Sequence, residues 1–362
     1  MLVCDNENKQ RVLWIDSLKG LCIIFVVLGH AVLGFWENQT YPASGEILHL
    51  VKEWIYTWHM PVFFVLSGIT FRISQLKGTT LNKNKLRRSV LNLLIIYLIF
   101  ETALPLLKIV FSAFVNNAVQ PSQLIRMILL PTTPMWYIWV LMIYYVIFAP
   151  LHYATGVEHD KRRLAMLMGV LAAISLIENS LWQTNILSIV CFRNLLRCGL
   201  FFAAGIYFRQ IKAILMSQYM IIVSAIVASS SCAYMIITTF VKPFRSVWIN
   251  SVIILGLNPV AICVLLIALF IRVRRIGENR QLIFLGKNSL IVYLLHTYFV
   301  TAMRVLVVKL HIGVPVVGIL AATVIPLVIC CVAALIIPHI PIVRGFFSPI
   351  AAIDRIKEKK IQ

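Results

Sequence analysis

Apolar residues run along this chain in long blocks, separated by short polar or basic segments. A membrane-crossing helix needs about 20 such residues. Ten blocks meet that need, near 12–34, 48–70, 89–115, 135–153, 164–180, 186–208, 217–240, 247–271, 283–308 and 312–337. The fifth, LAMLMGVLAAISLI before Glu178, is the weakest. Little chain is left between the blocks. The expected fold is therefore all-α and polytopic, with about ten transmembrane helices. A single membrane domain over 1–362 would include short basic tails at about 1–11 and 342–362. The first block sits where a signal peptide would. It is too long, lacks a small-residue cleavage site and contains Asp16 and Lys19, so it reads as a retained helix.

Composition agrees. The chain is 60% hydrophobic and 13% charged, whereas soluble domains are roughly half apolar and about a quarter charged. That excludes a water-soluble globular protein, a disordered chain and a disulfide-stapled secreted module. The formal charge is +20, from 33 Lys+Arg against 13 Asp+Glu. In a soluble protein such an excess suggests nucleic acid; here it reads as orientation. With the N-terminus inside, 23 of the 33 cations fall in inner segments. Five (Lys52, Arg126, Lys242, Arg245 and Lys309) fall outside, and Lys19, Lys108, Arg193, Arg197 and Arg304 lie within spans. Cytoplasmic loops collect Lys and Arg. The expectation is a multi-pass protein of the cell (inner or plasma) membrane, both termini cytoplasmic, with lipid and not nucleic acid as its surroundings. The eight cysteines form no C-x-x-C pair and mostly fall inside apolar blocks, which points to buried hydrophobes and to no metal site.

An ionisable side chain in hydrocarbon costs several kcal/mol, so it faces the bundle interior and invites a functional reading. The first block places Lys19 and His30 eleven residues apart. At about 100° per residue they share a face to within about 20°, separated by about 16 Å along the axis. Asp16 lies within about 40° of the same stripe. Each has a simpler account: Lys19 snorkelling, Asp16 capping the helix, His30 resting in the interface. Together on one stripe they favour an interior channel.

The second block carries His59 in its outer half and Arg72 at its inner end, with Pro61 able to kink the helix beside His59. A positive-inside anchor competes for Arg72, and a structural hydrogen bond competes for His59. Arg193 and Arg197 lie four apart and project from one face, which makes either an anion site or a pair neutralised by Glu101 or Glu178. His296 falls near mid-membrane, where a structural role is as plausible as a catalytic one. The run Met135-Trp136-Tyr137-Ile-Trp139 reads most simply as an aromatic belt, or as a surface that stacks on a sugar ring.

These residues resemble a family, the integral-membrane acyltransferase-3 proteins, which O-acylate cell-surface and other carbohydrates. The resemblance starts at Asp16-Ser-Leu-Lys19-Gly and runs through the [Arg/Lys]-x10-His pattern from Lys19 to His30. It continues in His59-Met-Pro61-Val-Phe63-Phe64-Val-Leu-Ser67-Gly68, with Arg72 following. Weaker echoes are Met135-Trp136-Tyr137, Phe201-Phe202-Ala-Ala-Gly205 and Gly286-Lys-Asn-Ser289 through His296. Its specific part is residues 11–72, and the short chain is similar to the stand-alone branch that acetylates surface polysaccharides. Lys19 departs from the Arg of many members and lacks its bidentate fork.

The resemblance implies no resident cofactor. It implies an acyl-CoA co-substrate, usually acetyl-CoA, on the cytoplasmic side, and a hydroxyl acceptor on a lipid-linked or exported glycan. On that reading Lys19, Arg72 and the basic inner loops hold the CoA phosphates, with Asp16 orienting Lys19. His30 is then the general base, or carries the acyl group transiently. His59, Trp136, Tyr137, Arg193, Arg197 and His296 are acceptor or channel candidates. The competing reading is a transporter or flippase with Lys19 and His30 lining its path; no internal repeat supports it. A third is a membrane partner whose polar residues only join helices.

Overall fold

The computed structural model describes residues 12–76, 80–112, 119–131, 133–181, 190–241 and 250–361. Lys9, Arg11, Lys77, Lys242 and Arg245 of the charge tally lie outside them, as does Cys4. The described residues are helical with no strand among them. In chain order the helices are α1 (Leu13–Glu37), α2 (Gly45–Gln75), α3 (Lys83–Val110), α4 (Leu124–Leu129), α5 (Trp136–Thr155), α6 (Lys161–Leu181), α7 (Val190–Ile206), α8 (Phe208–Leu215) and α9 (Gln218–Phe240). A π-helix (Asn250–Leu257) runs into α10 (Asn258–Arg272), and then come α11 (Arg274–Gly277), α12 (Arg280–Lys287), α13 (Ser289–Lys309), α14 (Pro315–Ile336), α15 (Pro341–Phe347) and α16 (Pro349–Ile361).

A helix occupies each of the ten apolar blocks. Among the described residues seven spans are long and apolar enough to cross a membrane: α1, α3, α5, α9, Val252–Arg272, α13 and Pro315–His339. The pair α7 and α8, bent by 90°, makes an eighth if taken as one span. The chain is an all-α polytopic membrane protein. Two of the expected ten, α2 and α6, are not in that set. For α2 the reason is polarity, since it carries His49, Lys52, Glu53, His59 and Arg72.

Local chemistry explains the ends. Asn82 accepts from the Lys85 amide and caps α3, Ser217 caps α9 through the Met220 amide, and Asn279 caps α12 through the Gln281 and Leu282 amides. Gly156 ends α5 at φ +58°, the left-handed turn that glycine adopts without a Cβ penalty. Arg163 then donates to the Thr155 carbonyl at 2.7 Å, satisfying a helix-end acceptor.

The chain divides into two compact units, one formed by residues up to Ala31 with Leu269 onward, the other by Val32–Ala268. In the first, α13 packs along α14, and the first turns of α1 lie against α12. A Cβ on Gly20 would sit 2.0 Å from the Leu282 carbonyl oxygen, and one on Gly286 would sit 1.7 Å from that of Asp16. Only glycine permits that approach. In the second unit α2 crosses α7 in the same way: a Cβ on Gly68 would meet the Phe202 oxygen at 2.1 Å, and one on Gly205 the Val65 oxygen at 2.1 Å. Bare backbone at a crossing is how helices associate where lipid supplies no hydrophobic drive. Phe64, Phe71 and Phe202, all fully buried, fill the space around this crossing with Tyr144 and Phe148.

Candidate functional site

In the first unit α1 supplies Asp16, Lys19 and His30. His30 is half-buried and its ring lies 5.1 Å from that of His296, centroid to centroid, tilted by 50°. His296 is fully buried. Its Nδ1–H donates to the Tyr293 carbonyl at 2.7 Å, with the Val292 carbonyl at 3.1 Å. Carbonyls only accept, so the proton is on Nδ1, and a neutral ring then presents a bare Nε2. That Nε2 is buried and has no hydrogen-bond partner among the described residues. The sequence placed both histidines in the membrane; it did not reveal that they touch.

The other end of the stripe is basic. Ser17 Oγ donates to the Ile276 carbonyl at 2.8 Å, and the glycine contacts bring Asp16 and Gly20 onto α12. The segment so anchored carries Arg272, Arg274, Arg275, Arg280 and Lys287, all exposed. Its acid Glu278 pairs with Arg274 at 2.8 Å. Asp16 is buried and Lys19 half-buried. One unit thus joins a cationic rim to a histidine pair along the face of α1.

In the second unit Arg72 is engaged internally: it pairs with Glu158 and donates to the Leu76 carbonyl that ends α2. Glu158 also meets His152 Nε2 at 3.3 Å, and His152 Nδ1 lies 3.4 Å from the Tyr207 hydroxyl. Sequence reading missed Glu158, His152 and Tyr207. The sequence signal was a pair of acids, Glu158 and Asp160, just ahead of Lys161-Arg162-Arg163.

Of the two carboxylates considered for the arginine pair, Glu178 is the one that pairs, with Arg193 at 3.5 Å, while Thr133 donates to Glu101. Arg197 turns elsewhere. Pro61 has no N–H, so the Thr57 carbonyl four residues earlier lacks its helical donor. Arg197 Nη2 reaches that carbonyl at 3.4 Å. Asn258 Nδ2 donates to Thr57 Oγ1 at 3.3 Å, and Oγ1 donates to the Trp54 carbonyl at 2.8 Å. His59, 3% exposed, donates from Nδ1 to the Ile55 carbonyl at 2.6 Å. Its structural hydrogen bond is thus to its own helix, not to a neighbouring one.

Trp136 and Tyr137 do more than mark an interface. The Tyr137 hydroxyl is 2.6 Å from Ser67 Oγ, and Phe64 packs 5.0 Å from Tyr137 and 6.1 Å from Trp136. The two motifs that sequence reading kept apart, Phe64 to Gly68 and Met135 to Tyr137, are one packed surface.

Comparison with known proteins places this geometry. No solved structure matches the chain. It is similar to the inner membrane protein YcfT of Escherichia coli (strain K12), 44% identical over 73 residues, which cover 18% of this chain and 20% of that protein. The sequence model of the acyltransferase-3 family, described as an acyltransferase domain, matches residues 12–335, nearly the whole described chain, and the protein belongs to that family.

Proposed function

We propose that this protein is a multi-pass enzyme of the inner or plasma membrane, with both termini cytoplasmic. It moves an acyl group, acetyl by preference, from acyl-CoA to a hydroxyl of a cell-surface or lipid-linked carbohydrate. The observation that carries the reading is the histidine pair of the first unit at one end of the α1 stripe, with the cationic segment Arg272–Lys287 anchored at the other. CoA is polyanionic. Lys19 and the exposed arginines give its phosphates a landing surface, and Asp16 orients Lys19 there. The axial span of about 16 Å from Lys19 to His30 then matches an extended thioester arm laid along the helix. Arg72, expected from sequence to assist, is held by Glu158, so the donor rim is assigned to the first unit.

His30 is the general base. As the acceptor oxygen attacks the thioester carbon, its proton passes to an imidazole nitrogen of His30. The C–S bond breaks, the acyl group stays on the acceptor oxygen, and the CoA thiolate takes the proton back. His296 acts through His30: its ring packs 5.1 Å from that of its neighbour, centroid to centroid, and positions it.

Purified protein given acetyl-CoA and a crude glycan-lipid fraction should release free CoA thiol, and His30→Ala, equally well folded, should not. Equal release by the two proteins overturns the enzyme reading, and so does an absence of release by both.

A further inference from the structure

The basic tail of the first unit takes no part in the chemistry above. One residue, Ile340, separates the span Pro315–His339 from α15. Three prolines break the chain there: Pro338 in the short turn Ile337–His339, Pro341 at the start of α15 and Pro349 at the start of α16. Helices of 7 and 13 residues follow. A crossing takes about 20 apolar residues, so neither helix is a span. The two pack against each other, with Phe347 buried at their corner.

At this corner the apolar side chains face outward. Ile342 is 79% exposed and Ile356 57%, and Phe346 and Ile353 are exposed with them. The charged Arg344, Asp354 and Arg355 are half-buried. Ile353 and Ile356, three positions apart, are neighbours on one face of α16, whereas Arg355 lies about 160° round the helix from Ile353. Ile342 and Phe346, four apart, are neighbours on α15 in the same way. A helix packed on its protein in water turns its apolar stripe inward. Here that order is inverted. The inversion is the one seen in a span: α14 exposes Val332 and Ile336 as a lipid-facing surface does, and Ile340 and Ile342 carry that surface onward. Charge is the second observation. Residues 341–361 hold Arg344, Arg355, Lys357, Lys359 and Lys360 against Asp354 and Glu358.

We infer that α15 and α16 lie along the bilayer surface where α14 ends, with their apolar face in the boundary between headgroups and acyl chains of an anionic phospholipid leaflet. A helix held in that plane needs apolar side chains that enter the boundary and cations that meet lipid phosphate. The tail supplies both. Its place supplies the occupant, since a corner one residue from a span already stands at the membrane surface. The inference holds whichever way the chain crosses the membrane, and whether or not the protein transfers acyl groups.

The test uses the full chain in a cysteine-free background, in nanodiscs of phosphatidylcholine with or without phosphatidylglycerol. A nitroxide is attached at Ile353→Cys or Ile356→Cys, and at Arg162→Cys, an exposed basic position, as the aqueous reference. Oxygen concentrates in hydrocarbon and a nickel chelate stays in water, so relaxation of the label by each reports its depth. In the mixed bilayer oxygen should outweigh the chelate at both tail positions, and the order should reverse at Arg162→Cys. Without phosphatidylglycerol, or with Lys357→Gln, Lys359→Gln and Lys360→Gln combined, the chelate should gain at both tail positions. Tail labels as open to the chelate as the reference overturn the inference. Labels shielded from both relaxers set the face against protein and overturn it too, as does the same ratio in the two bilayers.

Discussion

Arg197 of α7 donates a hydrogen bond to the Thr57 carbonyl of α2 at 3.4 Å, the acceptor that Pro61 leaves without a helical partner. The proline and the arginine are thus one device on two helices. The expected consequence is coupling. Arg197→Met should lower stability in detergent by about 1–3 kcal/mol. In a Pro61→Ala background, where residue 61 regains its N–H, the same change should cost less. A double-mutant cycle from thermal melts measures the difference; additive effects would show that the carbonyl does not depend on Arg197.

The histidine pair gives a kinetic expectation. His30→Ala should reduce turnover by about 10²–10⁴-fold, the usual weight of a general base. His296→Phe keeps a planar aromatic ring and removes both ring nitrogens. It should lower kcat less, shift the pH–rate profile and leave the KM for acyl-CoA unchanged. An unaltered pH profile with a loss confined to stability would make His296 purely structural.

The crossing of α2 and α7 is intolerant of a single methyl group. Gly68→Ala or Gly205→Ala drives a Cβ into backbone at 2.1 Å, so both should cost about 1–3 kcal/mol or more. Gly169, with nothing within 4 Å, is the matched control, and Gly169→Ala should be neutral or slightly stabilising.

Glu158→Gln should expose the dependence of Arg72 on its partner. Both side chains are about a quarter exposed, so the loss should be about 1 kcal/mol, above a surface pair and below a fully buried one. Partial recovery in Arg72→Glu with Glu158→Arg would show that the charges, not the shapes, are paired.

Membrane orientation is open to direct measurement. In a cysteine-free background, Lys161→Cys should react with a membrane-impermeant reagent only from the cytoplasmic side and Lys309→Cys only from the outside. The reverse pattern would invert the topology.

The sequence already located every long helix, because a run of about 20 apolar residues has no other fold in lipid. It also picked out Lys19 and His30, since helical periodicity alone puts residues eleven apart on one face. It could not reveal partners distant in the chain. His296 lies 266 positions beyond His30, and Asn258 lies 201 beyond Thr57. Glu158 was overlooked because an acid close to Asp160 in a segment that also holds Lys161, Arg162 and Arg163 looks like solvated surface. The choice between Glu101 and Glu178 needed packing, since both are apolar-flanked carboxylates and only one is within reach of Arg193.

The backbone tether on His296 Nδ1 also limits where a proton can travel. A histidine that relays protons must take one on one nitrogen and release another from the other. Here the second nitrogen is bonded to the carbonyls of Tyr293 and Val292, which cannot carry a proton onward. His296 is therefore a cul-de-sac: a proton that reached it could not be passed onward through Nδ1.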